Sequence, residues 1–146
     1  MKLTSPDFQN YNLIPKKFSC DGLGISPTLI ISDVPSGTKH LVLIVDDPDA
    51  PCGDYVHWLV WNITPETSVI KENTVPSEAC LGLNSGGGTE WVSPCPPSGQ
   101  HRYFFKLYAI NARLNHNLTC NKQNLLKQIS GHIIEQTELV GLYERS

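Results

Sequence analysis

A mainly β fold, two packed sheets with one or two short helices, is what this sequence predicts, and three observations predict it. Apolar runs of strand length recur at residues 29–31, 40–45, 55–63 and 101–109, with turn-forming residues between them. Eleven glycines and eleven prolines are scattered over 146 residues instead of gathering into a linker, which suits many turns between short strands. Helical periodicity is clear in one short stretch only, after residue 120. A chain of this length buries a core without crosslinks or metals and suits one domain spanning 1–146.

Taken in order, Leu29, Ile30 and Ile31 begin the first strand, and Val34-Pro35-Ser36-Gly37-Thr38 turns the chain into residues 40–45. Residues 55–63 are apolar on both alternating faces, which predicts a central strand covered on both sides. Thr64-Pro65-Glu66 ends it. Residues 72–93, with Asn84-Ser85-Gly86-Gly87-Gly88, lack a period and read as irregular. Residues 101–109 form the fourth strand. Asn121 is placed to cap a short helix whose apolar face is Leu125, Leu126 and Ile129, and Gly131 stops it. Residues 132–143 fit helix or strand by pattern, and Thr137, Val140 and Gly141 favour strand.

A formal charge of −3 with eleven Lys plus Arg leaves no basic stripe, so nucleic acid and anionic membrane surfaces are poor partners. A local pocket can still oppose the net charge and hold a small anion. Five cysteines, an odd number without a C-x-x-C pair, predict reduced thiols. With no apolar leader and no run long enough to span a bilayer, the expectation is a soluble, cytoplasmic protein without integral membrane association.

Two short segments bear the chemistry. Asp46, Asp47 and Asp49 follow an apolar strand directly, between Pro48 and Pro51, so at least one carboxylate is expected to point inward and to need a donor. In the second segment, strand alternation turns His101 and Tyr103 to one face and Arg102 to the other, where Arg102 suits a structural ion pair. His57 lies in the apolar strand, where a histidine is more often a satisfied core residue than a ligand contact. If it meets His101 and Tyr103, three donors and a carboxylate suit a phosphate-type oxyanion. Pro94, Pro96 and Pro97 stiffen a wall, and their cis or trans state is left open. Cys95 reads as a small buried thiol, and a metal site is disfavoured because the histidines and cysteines lack zinc spacing.

In these motifs the chain resembles the phosphatidylethanolamine-binding protein family, in its bacterial and archaeal Raf-kinase-inhibitor-like branch. The likeness runs through Asp21-Gly22, Ile25-Ser26-Pro27, Asp47-Pro48-Asp49-Ala50-Pro51, Val56-His57-Trp58, Pro94-Cys95-Pro96-Pro97-Ser98-Gly99, His101-Arg102-Tyr103, Gly131-His132 and Glu138-Leu139-Val140-Gly141. It implies a β-sandwich-like fold with a large central sheet, a smaller second sheet and an anion pocket at one end. The implied pocket residues are Asp47, His57, His101 and Tyr103, with Asp49, Pro51 and Pro96 as supporting wall. Trp91 and Ser93 depart from the family's more usual Tyr and Gly, which is expected to narrow the mouth or stiffen the loop. The functional expectation is a non-catalytic binding protein for phosphate-type groups such as phosphorylethanolamine, with a regulatory role left open. The alternative is an acid–base hydrolase using the same His/Asp pocket. No cofactor or metal is expected, and a protein partner or a homodimer is left open.

Overall fold

Strand β4 (His40–Asp47) shows why the chain layers as it does: Leu41, Leu43 and Val45 enter one apolar core, while Val42 and Ile44 enter a second on the opposite face. A strand apolar at every position must be covered twice. The computed structural model describes residues 1–116 and 120–145. The other strands are β1 (Lys2–Thr4), β2 (Asn12–Leu13), β3 (Leu29–Ser32), β5 (Tyr55–Ile63), β6 (Val69–Ile70), β7 (Cys80–Leu81), β8 (His101–Ile110) and β9 (Ile133–Tyr143). Helix α1 (Lys122–Ile129) lies between β8 and β9, and a single 3-10 turn covers Lys16–Phe18.

Six strands make the large sheet in the order β2-β9-β8-β4-β5-β7, and β1-β3-β6 make the small one. This is the mainly β, two-sheet architecture expected. Between the sheets lies the larger core, with Leu29 and Ile31 facing Leu43, Val45, Phe105 and Leu107. The outer face of the large sheet is covered by Leu125 and Ile129 of α1, packed with Val42, Ile44, Leu59 and Trp61. Asn121 caps α1 by accepting from the Asn124 amide at 2.9 Å, and Gly131 follows with φ of 82°. Residues 132–143 resolve as strand, paired antiparallel to β8 along its length.

Strand β5 is covered on both faces, as expected, but stands second from the edge; β4 and β8 are the inner strands. The pattern reports burial, and α1 and the small sheet supply that burial at an off-centre position. Two irregularities interrupt β5. Near its end, Leu41 opposes Ile63 but Leu43 opposes Val60, so one extra residue is accommodated beside Asn62, at φ of 55°. At its start, Val45 opposes Trp58 and Asp46 opposes Val56, leaving His57 as the extra residue. No helix among the described residues is long and apolar enough to cross a membrane.

Candidate binding pocket

The end of β4 sends two buried carboxylates to opposite faces. Asp46 turns toward the α1 side, and Asp47 turns inward, where its Oδ2 accepts from His101 Nδ1 at 2.7 Å. Its second oxygen accepts from the Asp49 amide at 2.8 Å, which fixes the Asp-Pro-Asp turn. On β8, alternation puts His101 and Tyr103 on the inner face, their rings stacked with centroids 6.4 Å apart. Arg102 points outward, as expected.

His57 reaches the same place by a different device. A bulge lets two successive residues share a face, so His57 and Trp58 both turn inward. The His57 ring stands edge-on to Tyr103 at 5.3 Å. Its Nδ1–H donates to the Val92 carbonyl at 2.6 Å, and the Val92 amide donates back to the His57 carbonyl at 3.0 Å. With Nδ1 committed, Nε2 of the neutral ring carries a lone pair. Burial pushes the His57 pKa down, against the Val92 hydrogen bond and the Asp47 charge, so the ring is neutral near pH 7. His57 therefore enters the site as an acceptor, not the donor expected from its residue type. Burial also raises the Tyr103 pKa, reinforced by Asp47 and Asp49, so its phenol stays protonated and is able to donate.

These four side chains line one cavity of about 270 Å³. Pro51 and Pro96 form part of its wall, with Tyr55, Ala50, Val92, Ser93, Cys95 and Pro97 completing it. Tyr55 was legible, since it lies two residues before His57 on the strand; the loop residues carried no such signal. Asp49 does not reach the cavity. Its carboxylate takes two hydrogen bonds from the Arg102 guanidinium, both 2.9 Å, and one from the Arg102 amide at 3.0 Å. Arg102 thereby holds the Asp49 pKa down to about 2. Asp49 positions the turn that carries Asp47, and is corrected from wall to brace.

Expectations about the cysteines and Trp91 change in the proline segment. Cys95 is not a buried thiol: it is exposed and joined to Cys20, the Cα atoms 5.4 Å apart. An odd count requires only that one cysteine stay unpaired, and the Cys20 amide bound to the Pro94 carbonyl at 3.0 Å brings the two backbones together. Cys52, Cys80 and Cys120 are free thiols. With Cys20 and Cys95 joined, the cysteines do not indicate a reducing compartment. No peptide bond among the described residues is cis, so the proline wall draws its stiffness from fixed φ alone. Trp91 turns away from the cavity to stack on Phe105 at 6.0 Å and meet Trp58 edge-on, while Ser93 lines the pocket.

A family model, phosphatidylethanolamine-binding protein, matches residues 4–144. The chain belongs to the phosphatidylethanolamine-binding protein family. Within it, a UPF0098 protein of Chlamydia trachomatis is 45% identical, the alignment covering 99% of each chain. A UPF0098 protein of Methanothermobacter thermautotrophicus is 39% identical over the same shares. Among solved structures, a putative phosphatidylethanolamine-binding protein homolog from C. trachomatis superposes with a TM-score of 0.95 at 44% identity, covering 99% of this chain and 97% of that one. E. coli YbcL, described as a new member of the mammalian PEBP family, gives 0.91 at 26% identity, covering 99% and 98%. Both the fold and the family expected from the motifs are thus shown.

Proposed function

We propose that this family member is a non-catalytic binding protein whose cavity takes a phosphate-type group, with phosphorylethanolamine as the model ligand. One observation supports the reading above all: Asp47, His57, His101 and Tyr103, drawn from three strands, meet in a single cavity sized for a small ligand. The Tyr103 hydroxyl and the free nitrogen of His101 provide directed contacts, and the Asp47 hydrogen bond at 2.7 Å fixes the His101 ring. Calorimetric titration with phosphorylethanolamine should give saturable heat that His101→Ala abolishes. Absence of saturation, or an unchanged isotherm for His101→Ala, defeats the reading.

The buried His101–Asp47 pair is also the arrangement of a base and its orienting acid, which favours hydrolase chemistry as the second reading. Cys95 is unavailable as its nucleophile, since its sulfur is bonded to Cys20. Turnover in a hydrolase screen that disappears in His57→Gln would replace the binding reading with this one.

A further inference from the structure

The cavity's polar atoms differ in hydrogen-bonding sense, and that difference identifies which anion it takes. Tyr103 donates. His101, its Nδ1–H committed to the Asp47 carboxylate, keeps Nε2 for a ligand, as a lone pair on the neutral ring and as a donor only on the imidazolium. His57, its Nδ1–H committed to Val92, offers only a lone pair. No lysine or arginine is among the described residues that line the cavity, and Asp47 adds an acidic wall. A fully ionised tetrahedral anion has nothing to donate to His57 and no fixed cation to meet. An anion that retains one hydroxyl satisfies His57 and still accepts from Tyr103.

Resting on the anion-pocket reading above, we infer that this pocket selects oxyanions carrying an acidic proton, namely the monoanionic form of phosphate monoesters, over equally charged esters that have none. Protonating His57 instead would put a charge on a ring 4% exposed, which burial opposes. The groups facing that ring are Asp47 from β4, Tyr55 from β5, and His101 and Tyr103 from β8, with Asp46 and Asp54 acting at longer range. The loop across from it supplies Trp91, Val92 and Ser93, none of them charged. Outside the cavity lining, Asp49 and Arg102 neutralise each other. The ligand's own proton is the one that meets the acceptor.

Methyl phosphate and methyl sulfate test this directly, because both carry one negative charge at pH 5.5 and differ by a hydroxyl. Titration of the intact chain should show methyl phosphate bound at least about ten-fold tighter at pH 5.5. Its affinity should fall more than about ten-fold by pH 8.0, as the second ionisation near 6 removes the proton, while methyl sulfate stays flat. His57→Gln, whose amide presents a donor as well as an acceptor, should bring the two ligands within about three-fold. Tyr103→Phe should weaken both and keep their ratio, which separates the effect from general damage to the pocket. Equal affinities in the wild-type chain, or tighter methyl sulfate, overturn the inference and leave the anion pocket standing. No saturable heat from either ligand defeats the anion pocket and this inference with it.

Discussion

Asp46 and Asp47 are neighbours in sequence, both buried, and they face opposite worlds. Asp46 meets two lysines, Lys106 Nζ at 3.1 Å and Lys122 Nζ at 2.7 Å, and Lys122 also bridges to Asp54 at 2.5 Å. Burial pulls the Lys122 pKa down, but its bonds to Asp46 and Asp54 outweigh that and raise it, so its charge is permanent through the neutral range. Asp47 meets His101, whose charge depends on a proton. One carboxylate fastens α1 to the sheet, and the other holds a histidine at the wall of the cavity. The difference lies in the partner across the sheet face and not in the residue.

The largest expected effect falls on the Asp47 side alone. Cys20 and Cys95 are separated by 75 residues in sequence, and closing such a loop in the unfolded chain is worth about 4 kcal/mol. Replacing both with serine should lower the urea midpoint accordingly, and reductant should do the same to the wild-type chain. Amide exchange should quicken around residues 19–24 and 91–97, at the pocket wall, before it quickens in β4 and β8. Uniform quickening in both places would erase the distinction between the two faces.

Asp46→Asn comes next. Removing the charge strands two lysines, which remain partly exposed, so a loss of about 3 kcal/mol in unfolding free energy is expected, the low end for a broken buried pair. Phosphorylethanolamine affinity should hold. A variant that loses binding in proportion to stability would show that the two aspartates act as one unit.

This asymmetry was half legible. Strand alternation put His101 with Tyr103 on one face, because period two is a property of the backbone, whereas the split between Asp46 and Asp47 follows only from the strand's continuing through both. The apolar strands at 29–31, 40–45, 55–63 and 101–109 and the capped helix followed from pattern as well. What escaped depends on pairing between distant segments. The bulge that turns His57 inward is a mismatch of β5 against β4, invisible in either strand alone. The Val92 carbonyl that sets the His57 tautomer lies 35 residues away, in a stretch without a period. Cys20 and Cys95 meet only through a loop contact. Strands β1, β2, β6 and β7 are two or three residues long, too short to carry alternation.

Tyr103→Phe sharpens the comparison at smaller scale. The ring is buried and its packing survives, so stability should change little while phosphorylethanolamine binding loses about 1–2 kcal/mol from the missing hydroxyl. Unchanged affinity in calorimetry would remove the phenol from the ligand contacts and leave His101 as the principal donor.

The subtlest effect is in the pH dependence of stability, and it too belongs to one face. His57 has a folded pKa below its ordinary 6.5 because burial disfavours the imidazolium. Below pH 6.5 the unfolded chain takes up a proton that the folded chain refuses, so unfolding binds protons and stability falls as the pH drops. The contribution is fully present above 6.5 and lost progressively on the acid side, down to the folded pKa. The Asp49–Arg102 pair acts in a lower window, between the ordinary 3.8 and about 2, and its exposure to solvent keeps it weak. Urea midpoints measured between pH 7.5 and 5 should therefore decline in the wild-type chain and flatten in His57→Gln. Asp46→Asn, less stable throughout, should keep the wild-type slope. Should the slope vanish with Asp46 and persist without His57, the titrating face has been assigned to the wrong side of the sheet.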